Sequence, residues 1–353
     1  MRRRLVAAVL VAGAVVAAPA ALAADEVTTV CRFTDARFTE ISGMTYSQRH
    51  PGVIYLHNDS SGGPLIYAVD STTCETLATL TVEGIEARDL EAIGSGRDAR
   101  GRPVLWIADI GDNRDSWPEV RLHRVREPKV LSDRTLKART YRFTYPDRPH
   151  NAEAILADPN STRVWVVTKQ TARGRMYALP RPLSRSTVNV ARPVGREGAL
   201  ITDGSVSPDG TRYALRDYVD ALTFEGLPPG RDPQRVYLPL QLQGEALTWT
   251  PDGTALLVAS ERDDRLLRVE LPVSVTTSAS ASGGPTPPPT TNGPGSSSGS
   301  AGEAQQPLAQ ESREGSGPSA PVVLIAIGLV VLAGLAIAAT ELRRRRGPVS
   351  PPG

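Results

Sequence analysis

The chain has 353 residues, with 40 Lys and Arg against 38 Asp and Glu and a formal charge of +2. That balance, with the arginines scattered along the sequence, excludes the basic footprint of a nucleic-acid-binding protein. The two cysteines, Cys31 and Cys74, have neither CxxC nor Cys/His spacing, which excludes a structural zinc site.

Met1 to Ala23 joins Arg2-Arg3-Arg4, an apolar run from Leu5 to Val16 and Ala21-Leu22-Ala23. These are the charged, apolar and small-x-small regions of a secretory signal peptide, residues 1–23. A retained N-terminal anchor competes with that reading, but the run is short for a membrane span. In the oxidising compartment a signal peptide implies, the cysteine pair reads as a disulfide rather than two thiols. It would pin the first strand to the end of the first sheet.

Residues 25–272 remain for folding, a normal size for one closed all-β domain. Residues 273–320 are mostly Ser, Thr, Pro, Gly and Ala. Such a composition buries too little apolar area to offset ordering entropy, so it reads as a disordered stalk. Residues 321–340 form an apolar stretch close to the roughly 20 residues that span a bilayer as a helix. Arg343 to Arg346, in the tail 341–353, place the C-terminus on the cytoplasmic side. The expectation is a single-pass plasma-membrane protein with residues 25–272 outside the cell.

Within 25–272 one scheme recurs five times: a short strand, a Gly- or Pro-containing turn, an apolar strand, then a polar loop. Its clearest copy is Gln243 to Glu261, QGEALTWTPDGTALLVASE. The others begin near Ile41, Leu90, Ala152 and Ile201, and each is followed by a further strand, such as Leu65–Val69 or Arg121–Val125. Val, Ile, Tyr and Trp bounded by Gly, Pro, Asn and Asp is strand-and-turn chemistry, and no long 3.6-residue apolar period is present. Aligning the turns puts positions 42, 91, 153, 202 and 245 in register, at spacings of 49, 62, 49 and 43 residues. Propeller blades have periods of about 40 to 50 residues. The fold expected is an all-β propeller. Counting the extra strand material at Val27–Phe38, Pro118–Pro146 and Arg235–Leu238, six blades are favoured, with five or seven as the alternatives; a sandwich with coincidental turns competes with the propeller.

Three units place a glutamate before Ala-Ile or Ala-Leu: Glu91, Glu153 and Glu245. Equivalent positions on innermost strands lie around the axis, so these carboxylates converge at one channel mouth. Asp59, Asp109 and Asp112 follow the next strand of their units, where loops gather. An oxygen-rich cluster without His or Cys suits Ca²⁺, which takes about six to eight oxygen ligands. A second reading stands beside that one: the glutamates accept backbone N–H groups and lock the blades together. Arg114, Lys169 and Arg216 occupy comparable positions after strands and are the candidate anion-binding cations.

NDSSGG at Asn58–Gly63, DLEAIG at Asp89–Gly94, ADIGDNR at Ala108–Arg114, AEAIL at Ala152–Leu156, SPDG at Ser207–Gly210 and QGEALTWTPDG at Gln243–Gly253 together resemble a family of secreted bacterial propellers. That family carries WD-repeat-like or "esterase-like activity of phytase" labels. The resemblance implies a propeller with divalent-metal sites at Asp89, Glu91, Asp112 and Glu153. The family reads a second acid where Ala92 stands here, so one ligand of its pattern is missing.

No G-x-S-x-G occurs within residues 25–272, and no nucleophile–base pair is visible in the sequence. The favoured function is a cell-surface module that binds an extracellular ligand or protein, with a divalent metal at the channel mouth. The alternative is a phytase-like, calcium-dependent phosphoesterase.

Overall fold

Val53–Leu56, Val104–Ala108 and Ala255–Ala259 are apolar at successive positions, not alternate ones, so strands built from them must be covered on both faces. A computed structural model describes residues 27–59 and 62–272 and shows what covers them. Five sheets stand as blades around an axis. The signal peptide, stalk, membrane helix and basic tail expected from sequence lie outside the described residues.

Strand β1 (Val27–Arg32) belongs to the last blade. Blade 1 runs outward through β2 (Ile41–Tyr46), β3 (Val53–Asn58), β4 (Leu65–Asp70) and β5 (Thr76–Glu83). Blade 2 starts with β6 (Leu90–Arg97), β7 (Pro103–Asp109) and β8 (Val120–Arg126). Next in the chain, β9 (Arg134–Lys137) adds in parallel to β5 of blade 1, and β10 (Arg139–Thr144) pairs antiparallel with β8. Blade 3 is β11 (Ala152–Ala157), β12 (Val164–Thr168), β13 (Arg175–Ala178) and, after the short β14 (Asn189–Val190), β15 (Arg192–Arg196). β14 returns to blade 2, in parallel with β10. Blade 4 is β16 (Asp203–Val206), β17 (Arg212–Arg216), β18 (Asp220–Glu225) and β19 (Arg231–Tyr237). Blade 5 is β20 (Gln243–Trp249), β21 (Ala255–Glu261), β22 (Asp263–Glu270) and finally β1.

The count is five, not the six favoured from sequence. The surplus strand material lies at blade rims: β9 is a fifth strand, β10 and β19 are fourth strands, and β1 closes blade 5; β14, not expected from sequence, is a second fifth strand. None of it makes a sixth innermost strand.

Alternate residues of each apolar strand enter different interfaces. Val53 and Tyr55 pack towards blade 2 with Leu90 and Ile107, while Ile54 and Leu56 pack towards blade 5 with Leu257 and Ala259. Five apolar clusters result, each between neighbouring blades. Radial packing therefore covers both faces of every sheet and leaves only short rim edges. Cys31 on β1 and Cys74, between β4 and β5, form a disulfide. It ties the outer strand of blade 5 to blade 1 and so spans the seam at which the ring closes. Residues 27–272 thus contain every strand of a closed ring and its own core.

Candidate functional site

The five innermost strands start at one end of the channel, and four carry an extra residue there. Pairing shifts register between Ile41 and Gly43, Leu90 and Ala92, Ala152 and Ala154, and Gly244 and Ala246. The extra residues are Ser42, Glu91, Glu153 and Glu245. A bulge leaves one residue outside the pairing and re-aims its side chain. The glutamates of blades 2, 3 and 5 are placed this way, all nearly buried and close enough to perturb one another. Ser42 takes the equivalent place in blade 1, and its hydroxyl donates to the Glu91 carbonyl (3.2 Å) and to Glu91 Oε2 (3.3 Å).

The sequence candidates divide into two groups. Asp59, Asp89 and Glu91 form the first, with one oxygen from each lying within 4.8 Å of the others. Two oxygens on opposite sides of a Ca²⁺ ion are about 4.8 Å apart, so this spread matches a single ion. Gly111 closes one side: a Cβ there would lie 2.4 Å from Glu91 Oε1 and 2.5 Å from Asp89 Oδ2, so only glycine lets the backbone approach the acids. Asp109 is fully buried and positions this loop. Its Oδ1 accepts the Asp89 N–H at 2.9 Å, and its Oδ2 accepts Arg88 Nε at 2.9 Å.

Glu153 and Glu245 form the second group, linked through Lys169 and Tyr218. Lys169 Nζ lies 2.6 Å from both oxygens of Glu153 and donates to the Tyr218 hydroxyl at 2.5 Å. Tyr218 in turn donates to Glu245 Oε1 (3.4 Å), which also accepts Gln243 Nε2 (3.1 Å). Glu261, at the end of β21, completes this group beside Glu245.

The remaining candidates lie elsewhere. Asp112 Oδ2 accepts the N–H groups of Ser116 and Trp117, both at 2.6 Å, and so shapes the loop after β7. Arg114 is exposed. Arg216 is fully buried, and its guanidinium is directed into the frame of blade 5. Sequence reasoning passed over Glu261 and Tyr218. Glu261 ends the second strand of its unit at the place where Asp59 and Lys169 stand just after theirs, a shared offset that was legible; Tyr218 sits in a turn with no such signal.

Crowding seven carboxylates of this region (Glu40, Asp59, Asp89, Glu91, Glu153, Glu245 and Glu261) against Lys169 raises several of their pKa values. Burial, then Glu153, Asp59 and Asp89, hold Glu91 well above the usual range. Burial also pushes Glu153 up to about 7, with Lys169 opposing. Burial and Glu245 push Glu261 up to about 10. Burial alone would depress the Lys169 ammonium, but Glu153, Tyr218 and Glu245 outweigh it and hold it well above its normal value.

A carboxyl with a higher pKa folded than unfolded holds its proton more tightly when folded. Its contribution is fully present below the unfolded value of 4.5 and is lost as pH rises through about 7 for Glu153 and about 10 for Glu261. Without added metal, the melting temperature is expected to fall by roughly 5 °C between pH 5 and pH 8, and Glu261→Gln to flatten that slope. Thermal melts across this range check it; a melting temperature that climbs from pH 5 to pH 8 would contradict it.

Fold and geometry define the class: a five-bladed β-propeller with an acidic cluster at one channel mouth. No known family model matches this sequence, and no curated protein matches it either. Among solved structures, a glucose dehydrogenase matches with a TM-score of 0.44 at 11% identity, covering 70% of this chain and 100% of that one. A chain of the mitotic checkpoint complex matches at a TM-score of 0.35 and 11% identity, covering 65% of this chain and 63% of that one. A candidate 6-phosphogluconolactonase from Bacteroides uniformis matches at 0.34 and 17%, covering 62% and 64%. At such identities the likeness concerns the fold, and no function is transferred from it.

Proposed function

We propose that this protein is a cell-surface, membrane-tethered propeller that binds an extracellular ligand or protein, with a Ca²⁺ ion at the acidic mouth. Membership of the propeller family it resembles is part of the proposal. The observation that carries it is the Asp59, Asp89 and Glu91 group: three oxygens within the reach of one ion, with Gly111 held against them. An oxygen-only donor set suits a hard cation. Glu153 and Glu245 are already served by Lys169, Tyr218 and Gln243, and they border the ion rather than hold it. The ion would relieve the repulsion that keeps Glu91 from ionising, and a ligand would complete its coordination from the channel side.

Calorimetric titration of residues 25–272 with calcium tests this. Binding of one ion is expected, weakened about tenfold or more in Glu91→Gln, since a charged oxygen ligand is removed. No calcium uptake would overturn the metal. A phosphomonoester assay on the same sample separates the binding role from the hydrolytic alternative: calcium-dependent turnover abolished in Glu91→Gln would replace the binding reading with an enzyme.

A further inference from the structure

The acidic mouth has a counterpart at the opposite end of blade 2. β6 starts at the acids and ends at Arg97, so the β6–β7 turn, the end of β8 and the start of β10 lie at the far end. A cleft of about 450 Å³ opens there. Arg124 and Arg126 of β8, Lys137 of β9, Arg139 of β10 and Arg185 line it. Its single carboxylate, Asp98, is already bound to Arg102 through Nε at 2.8 Å and Nη2 at 2.5 Å. Among the described residues the five other cations form no ion pair. These positions are scattered in sequence, so only folding reveals the cluster.

Two features distinguish this cleft from an ordinary solvated basic face. Arg124 lies directly across from Arg139 in the β8–β10 pairing, a like-charge cross-strand pair that costs stability. Arg124 is also held in place. Its guanidinium sits 5.4 Å from the Trp106 ring centroid and 5.5 Å from that of Tyr141, which orients it without using its N–H donors. A local arrangement that opposes folding, with no compensating partner in the fold, is a mark of a binding site.

We propose that this cleft binds a multiply charged phosphoryl anion. Guanidinium groups present paired donors that match two oxygens of a phosphoryl group, and such charge-assisted bonds are the strong ones. A single carboxylate would leave most of the five cations unanswered; a group with several negative charges answers them together. The site is independent of the acidic mouth and involves no bond cleavage. Its ligand is either a soluble polyphosphate or phosphate ester, or the headgroup of an anionic lipid.

Residues 25–272 are titrated with tripolyphosphate at low salt, and in parallel pelleted with phosphatidic acid vesicles or phosphatidylcholine vesicles. Uptake of tripolyphosphate alone assigns a soluble ligand; pelleting with phosphatidic acid alone assigns a headgroup. The combined variant Arg126→Gln, Lys137→Gln, Arg139→Gln and Arg185→Gln changes only exposed side chains. It is expected to weaken whichever binding is seen by about tenfold or more, because several charge-assisted bonds are lost. Its melting temperature should stay level or rise, since a like-charge pair is relieved. The proposal is overturned if the unaltered protein takes up neither probe, or if the variant binds as tightly as the unaltered protein.

Discussion

Arg216→Met is expected to lower the stability of the propeller by about 3–5 kcal/mol, because three buried acceptors lose their charged donor at about 1–3 kcal/mol each. For a domain of this size that is roughly 10 °C in melting temperature. The reason is a clamp between blades 4 and 5. Arg216 stands across from Asp203 in the β16–β17 pairing, and both reach the same peptide group of β20. Asp203 Oδ2 accepts the Leu247 N–H at 2.7 Å, while Arg216 Nη1 donates to the Ala246 carbonyl at 3.0 Å. The same Nη1 donates to the Ala259 carbonyl at 3.1 Å, and Nη2 to Gln241 Oε1 at 3.1 Å. Removing the guanidinium strands the acceptors it served and takes the nearest positive charge away from the buried Asp203. Gly244→Ala should act in the same direction from the other side, because its Cβ would lie 1.8 Å from Arg216 Nη2. Thermal and denaturant melts of both variants check this. An Arg216 variant that melts within about 2 °C of the parent would show that the clamp is dispensable.

Removing the disulfide ranks beside that effect. Cys31→Ala with Cys74→Ala opens a loop closed across 43 residues, worth ~4 kcal/mol by chain entropy. The loss should be local at first. β1 pairs with β22 alone, so without the cross-link the outer strand of blade 5 is held by that one ladder and by packing of Phe33. Hydrogen exchange should show the β1 amides losing protection well before those of β20 and β21, and the global melt should drop by roughly 10 °C. Uniform exchange in β1 and β20, or a melt shifted by less than about 2 °C, would place ring stability elsewhere.

Much of this was legible in the sequence. The five turns that aligned positions 42, 91, 153, 202 and 245 mark five blades, and the strands expected at Leu65–Val69 and Arg121–Val125 are β4 and β8. The sixth blade was an error of bookkeeping at the rim. A short polar-flanked strand looks alike in sequence whether it starts a blade or thickens one, and β9 and β14 are paired in parallel with strands far away in the chain. The roles of Lys169 and Arg216 were misleadingly alike for a one-residue reason. Blade 3 has the bulge at Glu153, which carries Lys169 past the end of its strand pairing and into the mouth. Blade 4 lacks the bulge, so Arg216 remains paired across from Asp203 and points into the frame. Bulges carry no reliable sequence signature, and the acidic mouth depends on four of them. The basic cleft of blade 2 was invisible for a different cause: its cations come from three strands and a distant loop.

The measurement that bears most directly on the acidic mouth is a crystal structure of residues 25–272 grown in calcium, with anomalous scattering recorded at a wavelength where calcium contributes. The expected result is one anomalous peak among Asp59, Asp89 and Glu91, with oxygen ligands at about 2.3 to 2.6 Å. An empty space between those three carboxylates at millimolar calcium, with Glu91 still hydrogen-bonded to Ser42, would contradict it.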